Sequence, residues 1–116
     1  MDFTSLQRDL SQFAEDRDWN QFHSVRNLLL ALVGEIGELA ELMQWVDDVG
    51  VDQFLMDGGR DRVGEELADV LLYTVRLAHQ AGVDLDIAVT AKLEKNADRY
   101  PIEKSKGTSK KYTELS

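Results

Sequence analysis

Four carboxylates at a repeated spacing are the residues best suited to chemistry in this chain. Glu35 and Glu38 stand three residues apart, and Glu66 and Asp69 repeat that interval further on. Drawn as helices at about 100° per residue, both pairs fall at the border of an apolar stripe. The first stripe is Leu28, Leu32, Ile36, Leu39, Leu42, Met43 and Val46, with Glu35 inside it and Glu38 on its flank. The second is Val63, Leu67, Val70, Leu71, Thr74, Leu77 and Ala78, with Glu66 at its edge and Asp69 on the same side. Unpaired carboxylates in such places cost several kcal/mol each, by the order of magnitude that applies to buried ions. The nearby basic residues project elsewhere, Arg76 among them. A hard divalent cation resolves the conflict, because Mg²⁺ prefers carboxylate oxygens and water, with Mn²⁺ the alternative ion. A solvated acidic face is the plain alternative. Gly34 and Gly37 argue against it, since each costs about 1 kcal/mol in a helix interior relative to Ala. A close helix or a ligand beside Glu35 and Glu38 would account for them.

The elements that must carry these residues are helical. Phe3, Leu6, Leu10 and Phe13 recur at helical spacing over residues 3–17. Residues 19–23 form a short connection, and 25–47 read as a long helix in which Trp45 projects near Glu38. Gly50 and the Gly58-Gly59 pair mark 48–60 as a loop with a helical turn around Gln53–Met56. A second long helix spans 61–81 and stops at Gly82. Asp84 is the N-cap of a last helix over 85–99, ended by Tyr100-Pro101. No strand pattern competes, so an all-α four-helix bundle is expected, completed by oligomerisation. The expected division is a helical catalytic domain over 1–103 and an irregular basic tail over 104–116.

Composition bounds the function. The chain has 116 residues with 13 basic and 22 acidic side chains, a net charge of −9. Residues 1–103 carry −12 and residues 104–116 carry +3. An acidic body is a poor nucleic-acid binder, since phosphate contact needs Lys and Arg. The absence of Cys excludes thiolate chemistry and Cys-ligated zinc. With only two His residues, and neither in a Glu-x-x-His motif, a ferritin-like di-iron site is not expected. His79 reads as a surface residue, while His23 fits either a ligand contact or a structural role. No apolar run is long enough for a membrane span, and residues 1–10 do not form a signal peptide. The expected location is the cytoplasm.

Glu35-Ile36-Gly37-Glu38 and Glu66-Leu67-Ala68-Asp69 match the E-x-x-E and E-x-x-D signature of the MazG-like all-α nucleoside triphosphate pyrophosphohydrolases, and 27 residues separate Glu38 from Glu66. The flanking text at 17–23, 26–45, 65–73 and 111–115 resembles the dCTP pyrophosphatase branch. This resemblance implies Glu35, Glu38, Glu66 and Asp69 as Mg²⁺ ligands, with Glu38 favoured as the catalytic base that takes the water proton. It implies water attack at the α-phosphorus of dCTP or a related deoxynucleotide, releasing a monophosphate and pyrophosphate. It implies Trp19, Phe22, His23 and Trp45 as the nucleobase pocket, with Tyr73 under the sugar. Lys92, Asn96 and Arg99 are then phosphate contacts, and Lys110, Lys111 and Tyr112 a cover over the triphosphate. One departure concerns base choice: some dCTP-selective relatives carry a polar ring residue where this chain has Leu10. The family's dimers of dimers imply a tetramer. Two other readings stay open at this point: the same chemistry on another nucleotide such as dUTP, and a non-catalytic helical oligomerisation or nucleotide-sensing module with a structural cation.

Overall fold

The computed structural model describes residues 2–115. Among them every regular element is helical and no strand occurs. The long helices are α1 (Phe3–Asp16), α2 (Val25–Glu41), α4 (Arg60–Gln80) and α5 (Leu85–Arg99). Two single-turn helices join them, α3 (Val51–Phe54) and α6 (Ile102–Ser105), with 3₁₀ turns at Asn20–Phe22, Asp48–Gly50 and Tyr112–Glu114. Contacts divide the chain into two units that meet in sequence at Val83 and Asp84, just beyond α4.

The caps fix where the helices begin. Asp2 accepts from the Ser5 N–H at 2.6 Å, Ser24 from Asn27 at 3.0 Å and Asp84 from Ile87 at 3.1 Å. Each satisfies an N–H that has no partner within its helix. Helix α4 ends as expected at glycine. Gly82 has φ +73°, and the Val83 N–H reaches back to the Ala78 carbonyl at 2.8 Å. A residue with a Cβ is strained in that conformation.

In the first unit α4 packs against both α2 and α1. Leu28 and Val75 are fully buried at the centre of this packing, with Leu6, Ala14 and Ala78 around them. Burying a Leu or Val side chain contributes about 1.5–3 kcal/mol. The seam is narrower than the expected stripes. Ile36, Leu67 and Leu71 are exposed within the single chain, because a helix pair covers only the residues along its own contact line. Gly34 and Gly37 also lack the expected helix contact, since a Cβ at either would meet no atom within 4 Å.

Two boundaries differ from expectation. Helix α2 ends at Glu41 rather than 47. Leu42, Met43 and Val46 bond three residues back, to Leu39, Ala40 and Met43, and the chain tightens into turns. Asp47 then caps the next 3₁₀ turn by accepting from Gly50 at 2.8 Å. The 48–60 segment is more helical than a loop, with a π-type turn over Leu55–Gly59 running into α4. Gly58 kinks that turn at φ +92°. Gly59 is buried, and a Cβ there would collide with the Phe54 carbonyl and ring. Further along, residues 102–105 form a helical turn inside what reads as an irregular stretch.

Candidate active site

The carboxylates come together because α2 and α4 pack side by side. Glu35, Glu38 and Glu66 each offer one oxygen to a group whose members all lie within 4.8 Å of one another. Glu35 and Glu66 are half-buried, while Glu38 is open to solvent. One oxygen of Glu35 and one of Glu66 are shut off from solvent and have no hydrogen-bond donor. A buried acceptor without a donor costs about 1–3 kcal/mol, more when charged. Burial pushes the Glu35 pKa from an ordinary 4.5 up to about 7. The facing Glu66 carboxyl adds to the shift, followed by the charges of Glu38 and Asp69. Asp69 stands outside the group of three, yet its charge reaches Glu35.

Hard oxygen donors, two of them buried and lacking any N–H or O–H, are what a divalent cation requires. A cation held by Glu35, Glu38 and Glu66 would satisfy both orphaned oxygens. It would also offset the burial and the neighbouring charges that raise the Glu35 pKa. The residues present fit such an ion.

A cavity of about 240 Å³ has Asp69 in its wall, three residues along α4 from Glu66. Leu10, Phe13, Ala14 and Leu72 make it largely apolar. Trp19, His23, Tyr73 and Arg76 complete the lining. Trp19 meets Phe13 edge-on at 5.6 Å and His23 at 6.2 Å between ring centres. Of the residues expected at a nucleobase, Trp19 and His23 share this cavity, together with Tyr73, expected under the sugar. Phe22 is exposed and not part of that wall. Trp45 is 89% exposed and lies beyond the end of α2, so the helical projection that set it near Glu38 does not apply.

Arg76, which the sequence reading set apart from the faces that carry the carboxylates, is buried. It is 6% exposed, and its guanidinium donates to three neutral acceptors. Nε bonds His23 Nδ1 at 3.2 Å, Nη1 bonds Ser11 Oγ at 3.1 Å, and Nη2 bonds Asn20 Oδ1 at 2.5 Å. Burial holds its pKa below the usual arginine value. The readable signal was a cation set between Val75 and Leu77 in the apolar second half of α4.

The second unit carries the remaining expected residues. Lys92 and Asn96 are exposed on α5. The Arg99 guanidinium lies 4.3 Å over the Tyr112 ring, and Tyr100 meets that ring edge-on at 6.1 Å. The Lys110 N–H donates to Thr108 Oγ1 at 3.3 Å, and its side chain is exposed, as is that of Lys111.

The MazG-like family model matches residues 31–115, a span that contains all four carboxylates. The chain belongs to the MazG-like family. It is 50% identical over 111 residues to dCTP pyrophosphatase 1 of Rattus norvegicus and to that of Homo sapiens. Each match covers 95% of this chain and 65% of the relative, so the chain spans just under two-thirds of those proteins. A crystal structure of a pyrophosphatase from Archaeoglobus fulgidus superimposes with a TM-score of 0.77 at 33% identity, over 84% of this chain and 91% of that one. The all-α MazG-like fold is therefore that of this protein, in line with the sequence expectation. Among the described residues no helix is long and apolar enough to cross a membrane.

Proposed function

We propose that this protein is a Mg²⁺-dependent nucleotide pyrophosphohydrolase that splits dCTP into dCMP and pyrophosphate. The observation that carries the reading is the carboxylate group of Glu35, Glu38 and Glu66, with two buried oxygens that find no donor. The choice of dCTP is supported by the relatives named for that substrate. A Mg²⁺ ion held by Glu35, Glu38 and Glu66, joined by Asp69, would supply neutralisation and ordering of the triphosphate oxygens.

The chain's own residues do the rest. Glu38 is the open member of the group, so it is the carboxylate that water reaches and the one assigned as general base. It takes the proton of the water that attacks the α-phosphorus, and pyrophosphate leaves. Trp19 offers an aromatic face to the base, a contact of about 1–3 kcal/mol. His23 offers a polar ring nitrogen, and Tyr73 lines the wall at the sugar. Open space at Gly34 and Gly37 leaves room for phosphates next to Glu35 and Glu38. Lys92, Asn96, Arg99, Lys110 and Tyr112 are assigned as phosphate-binding residues by the same family resemblance. A tetramer is the proposed assembly, supported by the apolar residues that the single chain leaves exposed, Leu29, Leu30 and Val33 on α2 and Ile87 and Leu93 on α5. The cytoplasm is the proposed location.

Purified protein incubated with dCTP and Mg²⁺, with and without EDTA, tests the reaction by ion-exchange separation of products. The expected result is dCMP and pyrophosphate only where the metal is free. Formation of dCDP and phosphate would move the attack to the terminal phosphorus and overturn the mechanism. Mg²⁺-dependent stability with no turnover of any triphosphate would favour the non-catalytic module instead.

A further inference from the structure

The cavity with Asp69 in its wall has a polar feature that its aromatic lining does not explain. Arg76 is a buried cation whose hydrogen bonds all end on neutral side chains. Pairing with a carboxylate is the usual way to keep such a charge buried. Here the charge is held in place by three partners from three segments: Ser11 on α1, Asn20 in the 3₁₀ turn, and His23 just before the N-cap of α2. The guanidinium is therefore fixed in position and orientation by groups that do not themselves need it.

The consequence falls on His23. A guanidinium has only donors. The His23 Nδ1 that receives the Arg76 Nε–H must therefore present a lone pair. A neutral imidazole with a lone pair on Nδ1 carries its proton on Nε2. Burial and the charge of Arg76 both lower the His23 pKa, in keeping with an uncharged ring. The one ring nitrogen left for a molecule in the cavity is then Nε2, and it is a donor. The Gln80 side chain adds a further tie, donating to the His23 carbonyl at 2.7 Å.

We propose that Arg76 is a positioning residue that locks His23 as its Nε2–H tautomer, so that the cavity offers a hydrogen-bond donor to a carbonyl oxygen or unprotonated ring nitrogen of the bound base. Leu10, Phe13, Ala14 and Leu72 supply no side-chain polar atom in that wall, so His23 shares the donor role only with Trp19, Tyr73 and Arg76. A site built to donate discriminates against a base edge that also donates, because two N–H groups would then face each other unpaired. The inference rests on the nucleotide reading above for the identity of the ligand, but not for the tautomer.

Long-range ¹⁵N–¹H spectra of the histidine rings in the full chain read the tautomer directly. His79→Gln removes the other histidine, which is exposed, and leaves His23 as the sole signal. The expected wild-type ring has its proton on Nε2 and a bare Nδ1, and Arg76→Met should lose that single-tautomer pattern. Should Arg76→Met fail to fold, the wild-type spectrum decides alone. Equilibrium binding of dCMP supplies the second readout. His23→Leu should weaken it by about tenfold, the size expected for one lost hydrogen bond. His23→Gln, whose amide keeps an N–H, should recover most of the loss. A wild-type proton on Nδ1 with dCMP still bound would overturn this inference alone. Unchanged dCMP binding in His23→Leu would overturn the donor role. An Nε2 proton with no dCMP binding by the wild type would overturn the base assignment and the substrate reading together.

Discussion

Glu35 and Glu66 face each other across the α2–α4 contact, each with one oxygen shut off from solvent and from every donor. Two acceptors in that position need either a shared proton or a cation between them. The proton is the solution available to the chain alone, in keeping with a Glu35 pKa that burial first, and the facing Glu66 second, raise to about 7. A cation held between them would also supply chemistry, because it would give the helix pair a binding site for phosphate.

Substitution of Glu38 or Glu66 by Gln should keep the fold and remove the reaction. Gln preserves shape and helix propensity but not the charge that a cation needs. Pyrophosphate release from dCTP is expected to fall by about a hundredfold or more, ~2.7 kcal/mol of transition-state stabilisation. Circular dichroism should stay helical. Wild-type turnover in either variant would remove these residues from the site.

The raised Glu35 pKa predicts a specific pH dependence in the presence of a chelator. Between pH 4.5 and about 7 the unfolded chain has released the Glu35 proton while the folded chain retains it. Stability relative to Glu35→Gln should therefore fall as pH rises through that window and level off above it. Below pH 4.5 the difference should be flat. Urea unfolding of the two proteins across that range measures the slope. Saturating Mg²⁺ should flatten it, because the bound ion accepts the charge that folding otherwise disfavours.

Trp19 separates base binding from chemistry. It lines the cavity and is propped edge-on by Phe13 and His23. Trp19→Ala should raise the KM for dCTP by about tenfold, as expected for one lost stacking contact. The kcat should stay within a few-fold, since no reacting atom is touched. A fall in kcat with KM unchanged would contradict the assignment of this ring to the base.

Much of this architecture was legible in the sequence because it depends on local chemistry. Asp84 and Gly82 are read as caps from residue type alone, and both act so in the structure. The carboxylate pairs were visible because i, i+3 spacing puts two residues on one helix face before any tertiary contact is known. The end of α2 was misread for the complementary reason. No glycine or proline marks the end of α2, so only the i−3 bonding after Glu41 shows that the helical projection stops there. Arg76 was missed because its burial depends on Ser11, Asn20 and His23, between 53 and 65 residues away in sequence. A helical wheel holds no information about partners on other elements.

Mn²⁺ titration followed by electron paramagnetic resonance tests the central claim most directly, since free and protein-held ions give distinct signals without any substrate. Wild-type protein should withdraw Mn²⁺ from the free signal, with Mg²⁺ competing, and the Glu35→Gln/Glu66→Gln double variant should leave it free. Equal uptake by the wild type and by that variant would place the ion elsewhere and contradict the account.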